Sequence, residues 1–292
     1  MNKLIYKKIN AFTTHSSTGN PAACIYLDEN QVLTEMEMLN IAKEHKGFVS
    51  EVVYCTPKSD NTYMLKYYSS ECEVEFCGHG TIACAYDLLK NSENLLKLPE
   101  IIIDTKKGKL TVYNEINTLN AVFITAPDPQ YLSHKLDADI IAKALQIMPH
   151  AISKEYPISL INGGLNTLLV PISSLKDELS NCPNEYDLKA FCLMNSIDII
   201  LTFTMEVFDI RNKVRTRVFA PKFGYLEDMA TGSGNSALGY YMLKHDMWDG
   251  QPISIEQNAQ PSAHNIVWLK THKGKVLFGG GATVRIEGKY IC

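Results

Sequence analysis

The chain has 292 residues and a net charge of −4, with 46% hydrophobic and 21% charged residues. That is the balance of a globular protein long enough for two domains of roughly 150 residues each. Such a charge offers no basic stripe to nucleic acid, and no apolar run approaches the ~20 residues of a membrane helix.

Charges interrupt the opening stretch Met1-Asn2-Lys3-Leu4-Ile5-Tyr6-Lys7-Lys8, so it lacks the apolar core of a signal peptide. The eight cysteines contain no Cys-x-x-Cys pair. Reduced thiols in a cytoplasmic protein are therefore the expectation.

Leu4 to Phe12 alternates and is rich in Ile, Tyr and Phe, which predicts a strand. The loop Thr13 to Pro21 and a second strand, Ala22 to Leu27, follow. Thr34 with Glu37 is a capping-box pair and predicts a helix through about Glu44. Ser50 to Cys55 reads as a strand carrying a lone carboxylate, Glu51, near its start. Tyr63 to Tyr68 alternates again, and Glu71 to Phe76 leads to a glycine loop and a helix with Ile82, Ala85, Tyr86 and Leu89 on one face. A hairpin is predicted around Lys106-Lys107-Gly108, then a strand over Ala121 to Thr125. Two prolines in Ala126-Pro127-Asp128-Pro129 mark a linker. Asp137 to Met148 has helical periodicity, and Pro157 to Ile172 reads as strand-loop-strand around Asn162-Gly163-Gly164-Leu165-Asn166. Leu175 to Ser196 is helical in parts, and Asp198 to Phe208 is β-like. Arg215 to Phe219 runs through Ala220-Pro221 into a second glycine loop. Val276 to Ile286 reads as a closing hairpin. Strands and helices in this mixture argue for α+β architecture.

The two glycine loops are copies. Shifting by 154 residues carries Cys77 to Thr231 and aligns Glu73 with Glu227, Gly78 with Gly232, Gly80 with Gly234, and Ala83 with Ala237. Tyr86, Leu89 and Lys90 likewise meet Tyr240, Leu243 and Lys244. A loop-helix unit repeated half a chain apart predicts a duplicated fold with a site between the halves. The expected division is 1–126 and 127–282, with 283–292 a candidate to return to the first half.

Both loops fit Gly-x-Gly-x-x-Ala, and Asp104 follows the first at the spacing of a dinucleotide fingerprint. Against that reading, Glu71 to Phe76 alternates where a central parallel strand is nearly all apolar, and a turn rather than a strand feeds the second loop. The simpler physics is a pair of helix N-termini whose exposed amides hold a carboxylate or phosphate. A plain glycine turn is the alternative for either loop alone.

Together the residues resemble the PhzF-like family, named for phenazine biosynthesis, which has the diaminopimelate-epimerase fold. The resemblance rests on Phe12 with Gly19-Asn20-Pro21-Ala22, on Ser50-Glu51, and on Phe76-Cys77-Gly78-His79-Gly80-Thr81. It continues through Phe219-Ala220-Pro221, Glu227-Asp228, Thr231-Gly232-Ser233 and Gly279-Gly280-Gly281, so it spans nearly the whole chain. It implies two pseudo-symmetric α+β halves, each a β-barrel-like sheet around a central helix, with the active site in the cleft between them. It also implies a homodimer and no cofactor or metal. Glu51 matches the family's catalytic acid/base, with His79, Asp228 and Ser233 as its companions. The substrate-binding positions are Asn20, Gly78, Gly80, Gly232 and Ser233, with the amides of Gly78, His79, Gly232 and Ser233 receiving a substrate carboxylate. The chain departs from the family at Val52, where Thr is frequent, at Gly80, where Ala is common, and at Met229, where Pro is common.

The expected activity is isomerisation of a small carboxylate-bearing substrate. A general base that moves a proton between carbons must reach both and work near its own pKa, which desolvation of a carboxylate favours. Asp228 and His79 would orient substrate or relay protons while the helix termini stabilise developing negative charge. Other readings remain open: Glu51 as an exposed strand carboxylate, His79 as a loop brace, Asp228 as a helix cap. A non-catalytic anion-binding protein on the same fold is the alternative function. A two-thiol racemase or epimerase is disfavoured, because the counterpart of Cys77 is Thr231, which cannot exchange protons as a thiol does.

Overall fold

In the computed structural model, which describes residues 3–28 and 30–292, the first alternating stretch forms β1 (Lys3–Ala11), burying Leu4 and Tyr6. Met1 and Asn2, which open the charged N-terminal stretch, and Glu29 lie outside the described residues. The next strand, β2 (Asn20–Tyr26), pairs antiparallel with β1. The turn before it demands Gly19: φ is +71°, and a Cβ there would lie 2.5 Å from the Ala11 carbonyl oxygen. A parallel partner needs a crossover, and α1 (Glu35–Glu44) supplies it before β3 (Val52–Ser59). Thr34 and Glu37 cap α1 reciprocally, each side chain accepting from the other's amide N–H. The apolar stripe Met38, Ile41 and Ala42 packs on Leu4, Ile25 and Tyr54.

The chain continues through β4 (Thr62–Tyr68), β5 (Glu73–Val74), α2 (Gly78–Lys90) and α3 (Glu93–Leu96). Then come β6 (Glu100–Thr105), β7 (Gly108–Glu115), α4 (Ile116–Leu119) and β8 (Ala121–Thr125). Strands β6 and β7 form the hairpin expected around Lys106-Lys107-Gly108. The second half runs through β9 (Gln130–Leu132), α5 (Ala138–Leu145), β10 (Ser159–Asn162), β11 (Asn166–Pro171), α6 (Leu175–Ser180) and α7 (Glu185–Met194). It goes on with β12 (Ile199–Thr204), β13 (Val214–Phe219), β14 (Glu227–Asp228) and α8 (Gly232–Lys244), then β15 (Ile253–Gln257), β16 (Asn265–His272) and β17 (Lys275–Gly280). The last strand, β18 (Ala282–Ile291), pairs antiparallel with β1 from Lys3↔Ile291 to Ala11↔Ala282.

Two units result. One comprises the chain up to Thr13, Thr18–Thr125 and Gly279–Cys292; the other comprises Thr14–Ser17 and Ala126–Phe278. Their strand pairings repeat one another. In the first, β1–β2 is antiparallel, β2–β3 parallel, β3–β4 antiparallel, β4–β6 parallel and β6–β7 antiparallel. In the second, β10–β11, β11–β12, β12–β13, β13–β15 and β15–β16 follow the same sequence. The two-residue strands β5 and β14 sit at the same step, each bonded antiparallel to the strand before it.

Each unit holds one long buried helix. Nine of the thirteen residues of α2 are buried, and ten of the thirteen in α8. Burial all round marks a helix enclosed on every side, a difference from the single apolar face expected after the first glycine loop. Helix α2 packs on β1, β2, β3, β8 and β18, and α8 on β10, β11, β12 and β16. Enclosure forces pairing of polar groups: Asp87 of α2 accepts from Lys7 Nζ at 3.0 Å, Tyr26 Oη at 2.6 Å and Asn91 Nδ2 at 2.7 Å. The outer side of the second sheet carries its own apolar layer, with Ile141, Leu145, Leu188 and Phe191 against Leu168, Val170, Ile200 and Phe219. No helix among the described residues is long and apolar enough to cross a membrane.

Candidate active site

In the first unit the loop-helix junction brings three of the chain's reactive groups together. Glu51 is the residue immediately before β3, and its carbonyl accepts from the Ala23 amide of the neighbouring parallel strand at 3.2 Å. Cys77 is the N-cap of α2, its sulfur accepting from the Gly80 amide at 3.3 Å. His79 is the second residue of the helix. Its Nε2 lies 3.3 Å from Glu51 Oε2, and its Nδ1 lies 3.5 Å from Cys77 Sγ. Both side chains are mostly shielded, 21% exposed for Glu51 and 14% for His79. Glu51 Oε2 is itself buried and has no hydrogen bond to the described residues, the imidazole being near it but out of line. Cys77 thus serves as a cap and touches His79.

The glycine after His79 has a steric reason. A Cβ at residue 80 would lie 2.8 Å from Val53 Cγ2 and 3.0 Å from Cys77 Sγ. Thr81 then anchors the turn, donating to the Cys77 carbonyl at 2.7 Å and sharing a 2.7 Å hydrogen bond with the buried Tyr67 hydroxyl. Asn20 is buried at the first position of β2, three residues along from Ala23, whose amide bonds to Glu51.

In the second unit Asp228 ends β14, and Gly232 and Ser233 are the first two residues of α8. Asp228 Oδ2 accepts from the Thr231 hydroxyl at 2.5 Å. Thr231 occupies the cap position without capping through its side chain. Its amide instead donates to Gln257 Oε1 at 2.9 Å. Gln257 is fully buried and holds the loop at three further points: Nε2 donates to the Asp228 carbonyl at 2.9 Å and to Thr231 Oγ1 at 3.1 Å, while Oε1 accepts from Asn235 Nδ2 at 2.7 Å. Gly232 is required by packing, since a Cβ there would sit 2.1 Å from the Phe278 ring. Gly164, on the loop between β10 and β11, comes within reach of Ser233, a Cβ at that glycine meeting Ser233 Cβ at 3.8 Å. Neither α2 nor α8 carries an acidic residue in its first turn, so the positive ends of both dipoles stay uncompensated by their own helices.

Gln257 and Asn235 were not among the residues singled out from the sequence. The available signal was a run of polar residues, Glu256-Gln257-Asn258, following the alternating Ile253-Ser254-Ile255. Its first member forms a buried ion pair with Arg215 at 3.1 Å. Burial by itself pushes Glu256 upward, but bonds from the Asp209 and Phe208 amides and from Asn212 and Arg215 outweigh it and hold the carboxyl below its ordinary value.

The duplication sharpens the choice of reactive carboxylate. Asp198 immediately precedes β12 as Glu51 precedes β3, and both strands pair in parallel with the strand before them. Asp198 is tied down: Oδ1 accepts from Lys222 Nζ at 2.6 Å and Oδ2 from the Asn166 amide at 2.8 Å. Among the described residues, neither a lysine nor an amide bonds the buried oxygen of Glu51.

A family model described as phenazine biosynthesis-like protein matches residues 9–288. The chain belongs to that family. Among its relatives, an uncharacterized isomerase of Clostridium acetobutylicum is 28% identical over 82% of this chain and 79% of its own. A trans-2,3-dihydro-3-hydroxyanthranilate isomerase of Pseudomonas fluorescens is 26% identical over 91% of this chain and 89% of its own. The crystal structure of a PhzF-family phenazine biosynthesis protein from Bacillus anthracis superposes with a TM-score of 0.84 at 22% identity, covering both chains completely. The protein is thus an isomerase of the phenazine biosynthesis-like family with the diaminopimelate-epimerase-like fold, and its duplicated units are the two halves of that fold.

Proposed function

We propose that this isomerase moves a proton between two carbons of a small carboxylate-bearing substrate, with Glu51 as the acid/base. The observation that carries the reading is the buried Glu51 Oε2, without a hydrogen bond among the described residues and beside His79 Nε2 at 3.3 Å. The carboxylate takes a proton from one carbon, leaving the electron pair delocalised toward the substrate's acid group. As a carboxylic acid it then returns the proton to a second carbon, so no electron is gained or lost. His79 orients Glu51. Helix-start amides at Gly78, His79, Gly232 and Ser233 receive the substrate carboxylate, because unpaired N–H donors at a positive helix end suit an anion. Asp228 and Ser233 contribute polar contacts to the same reaction, and Asn20 and Gly80 complete the assignment. A homodimer belongs to this reading, and light scattering of the purified chain tests it.

The relative from Pseudomonas fluorescens supplies a probe, trans-2,3-dihydro-3-hydroxyanthranilate, to stand beside other small unsaturated and amino acids. In D2O the wild type should wash deuterium into a carbon of a turned-over acid, and Glu51→Gln should not. If a ligand binds to the wild type and no carbon-bound hydrogen ever exchanges, proton transfer gives way to simple anion binding.

A further inference from the structure

We propose that Glu51, Cys77 and His79 together form a site for a borderline-soft divalent cation, Zn2+ being the probe. One ligand atom from each, a carboxylate oxygen, a thiol sulfur and an imidazole nitrogen, lies within 4.8 Å of the other two. The two edges that meet at His79 Nε2 measure 3.3 Å to Glu51 Oε2 and 3.9 Å to Cys77 Sγ. Bond lengths for tetrahedral zinc require edges of about 3.4–3.6 Å between such ligands, so small side-chain adjustments suffice. Sulfur, imidazole and carboxylate form a donor set that favours zinc over magnesium or calcium, which prefer oxygen alone.

Two features prepare the site. Glu51 Oε2 is buried without a hydrogen bond among the described residues, leaving a lone pair for a cation. The Gly80 amide, 3.3 Å from the Cys77 sulfur, supplies the outer hydrogen bond that steadies a metal-bound thiolate. Binding joins Zn2+ to sulfur, nitrogen and oxygen and releases the thiol proton to solvent. A fourth position stays open for water or a substrate oxygen. Because the cation would occupy Glu51, Zn2+ is expected to suppress proton transfer, a consequence that rests on the proposed function; the site itself rests on the ligand geometry alone.

The test is calorimetric titration of the chelator-treated full chain with Zn2+, followed by Co2+ spectroscopy. The wild type should bind one equivalent, and its Co2+ form should show a thiolate charge-transfer band. A variant with the exposed thiols removed, C72S/C182S/C292S, should behave identically. Cys77→Ser keeps a side chain able to cap α2 and should lose the band. Its affinity should fall by more than the roughly 10–100-fold that loss of an outer partner costs. Glu51→Gln, which leaves the cap alone, should weaken binding as well, so the proposal survives a folding failure of the cysteine variant. Absence of stoichiometric binding, unchanged affinity in Cys77→Ser and Glu51→Gln, or loss of binding in the triple variant would each overturn it. Zinc binding without carbon exchange in any acid would keep the cation site and sink the catalytic reading; exchange without zinc binding would do the reverse.

Discussion

At position 51 the proposed chemistry depends on what a carboxylate is not bonded to. Asp198, at the same step of the repeated topology, spends its oxygens on Lys222 and the Asn166 amide, while Glu51 Oε2 is buried without a hydrogen bond among the described residues. Glu51→Gln should lower kcat by about 10²- to 10⁴-fold, the range for a lost general base, with the thermal unfolding midpoint nearly unchanged. A comparable drop in KM-limited binding with kcat intact would instead make Glu51 a binding residue. Residue 80 gives a structural prediction at the same scale. An alanine there meets Val53 and Cys77 at contact distances shorter than packed side chains adopt, so Gly80→Ala should cost about 1–3 kcal/mol. In a Val53→Ala background the same substitution should cost clearly less by chemical denaturation. Equal costs in the two backgrounds would place the strain elsewhere. The glycine thus has a local reason, since this chain fills the space with Val53 and the Cys77 sulfur.

The two loop-helix elements share a backbone plan but hold their first turns differently. Helix α2 is capped locally by Cys77, two residues from His79. Helix α8 relies on Gln257, which lies on β15 and binds the Thr231 amide, the Asp228 carbonyl and Asn235. Gln257→Ala would leave the Thr231 N–H and the Asn235 amide buried without this acceptor, at a cost of about 1–3 kcal/mol for such unpaired groups. A drop of that size in urea denaturation is expected, together with a fall in activity through the loosened Asp228. If stability falls and turnover is untouched, Gln257 is a scaffold residue only. The elements also show why parts of the sequence reading shifted by one to four residues. Glu51 lies just ahead of β3 rather than within it, and β12 ends at Thr204, short of Phe208. Alternation of side chains does not mark where a parallel ladder begins, because that is decided by the neighbouring strand.

Across the whole molecule, buried charge sets the response to pH. Glu178 on α6 is fully buried, and desolvation pushes it up to about 8, against the Thr202 hydrogen bond and the nearby Arg217 and Arg215, which pull it down. Its folded value exceeds the ordinary value of 4.5, so between those limits the native state holds a proton that the unfolded chain releases. Stability from this group is therefore full below pH 4.5 and is lost as pH rises through about 8. Glu178→Gln, which stays neutral, should flatten the fall in unfolding midpoint over that window and be more stable relative to wild type at its alkaline end. Parallel pH profiles for the two proteins would refute the assignment.

The duplicated glycine loops, the capping box at Thr34 and Glu37, the hairpin at Lys106-Lys107 and the position of Glu51 beside a strand were legible in the residues alone, because each is a short-range pattern with its own physics. So was the pairing of Cys77 with Thr231 that argues against two thiols. The enclosure of α2 and α8, the role of Gln257 and the contrast between Glu51 and Asp198 were not. Those depend on which groups a neighbouring strand, dozens of residues away, brings against a side chain, and burial acts on a charge or an amide only once that neighbour is in place. The sequence by itself determined the elements and the reactive candidates; tertiary structure decided which carboxylate oxygen is buried without a hydrogen bond among the described residues.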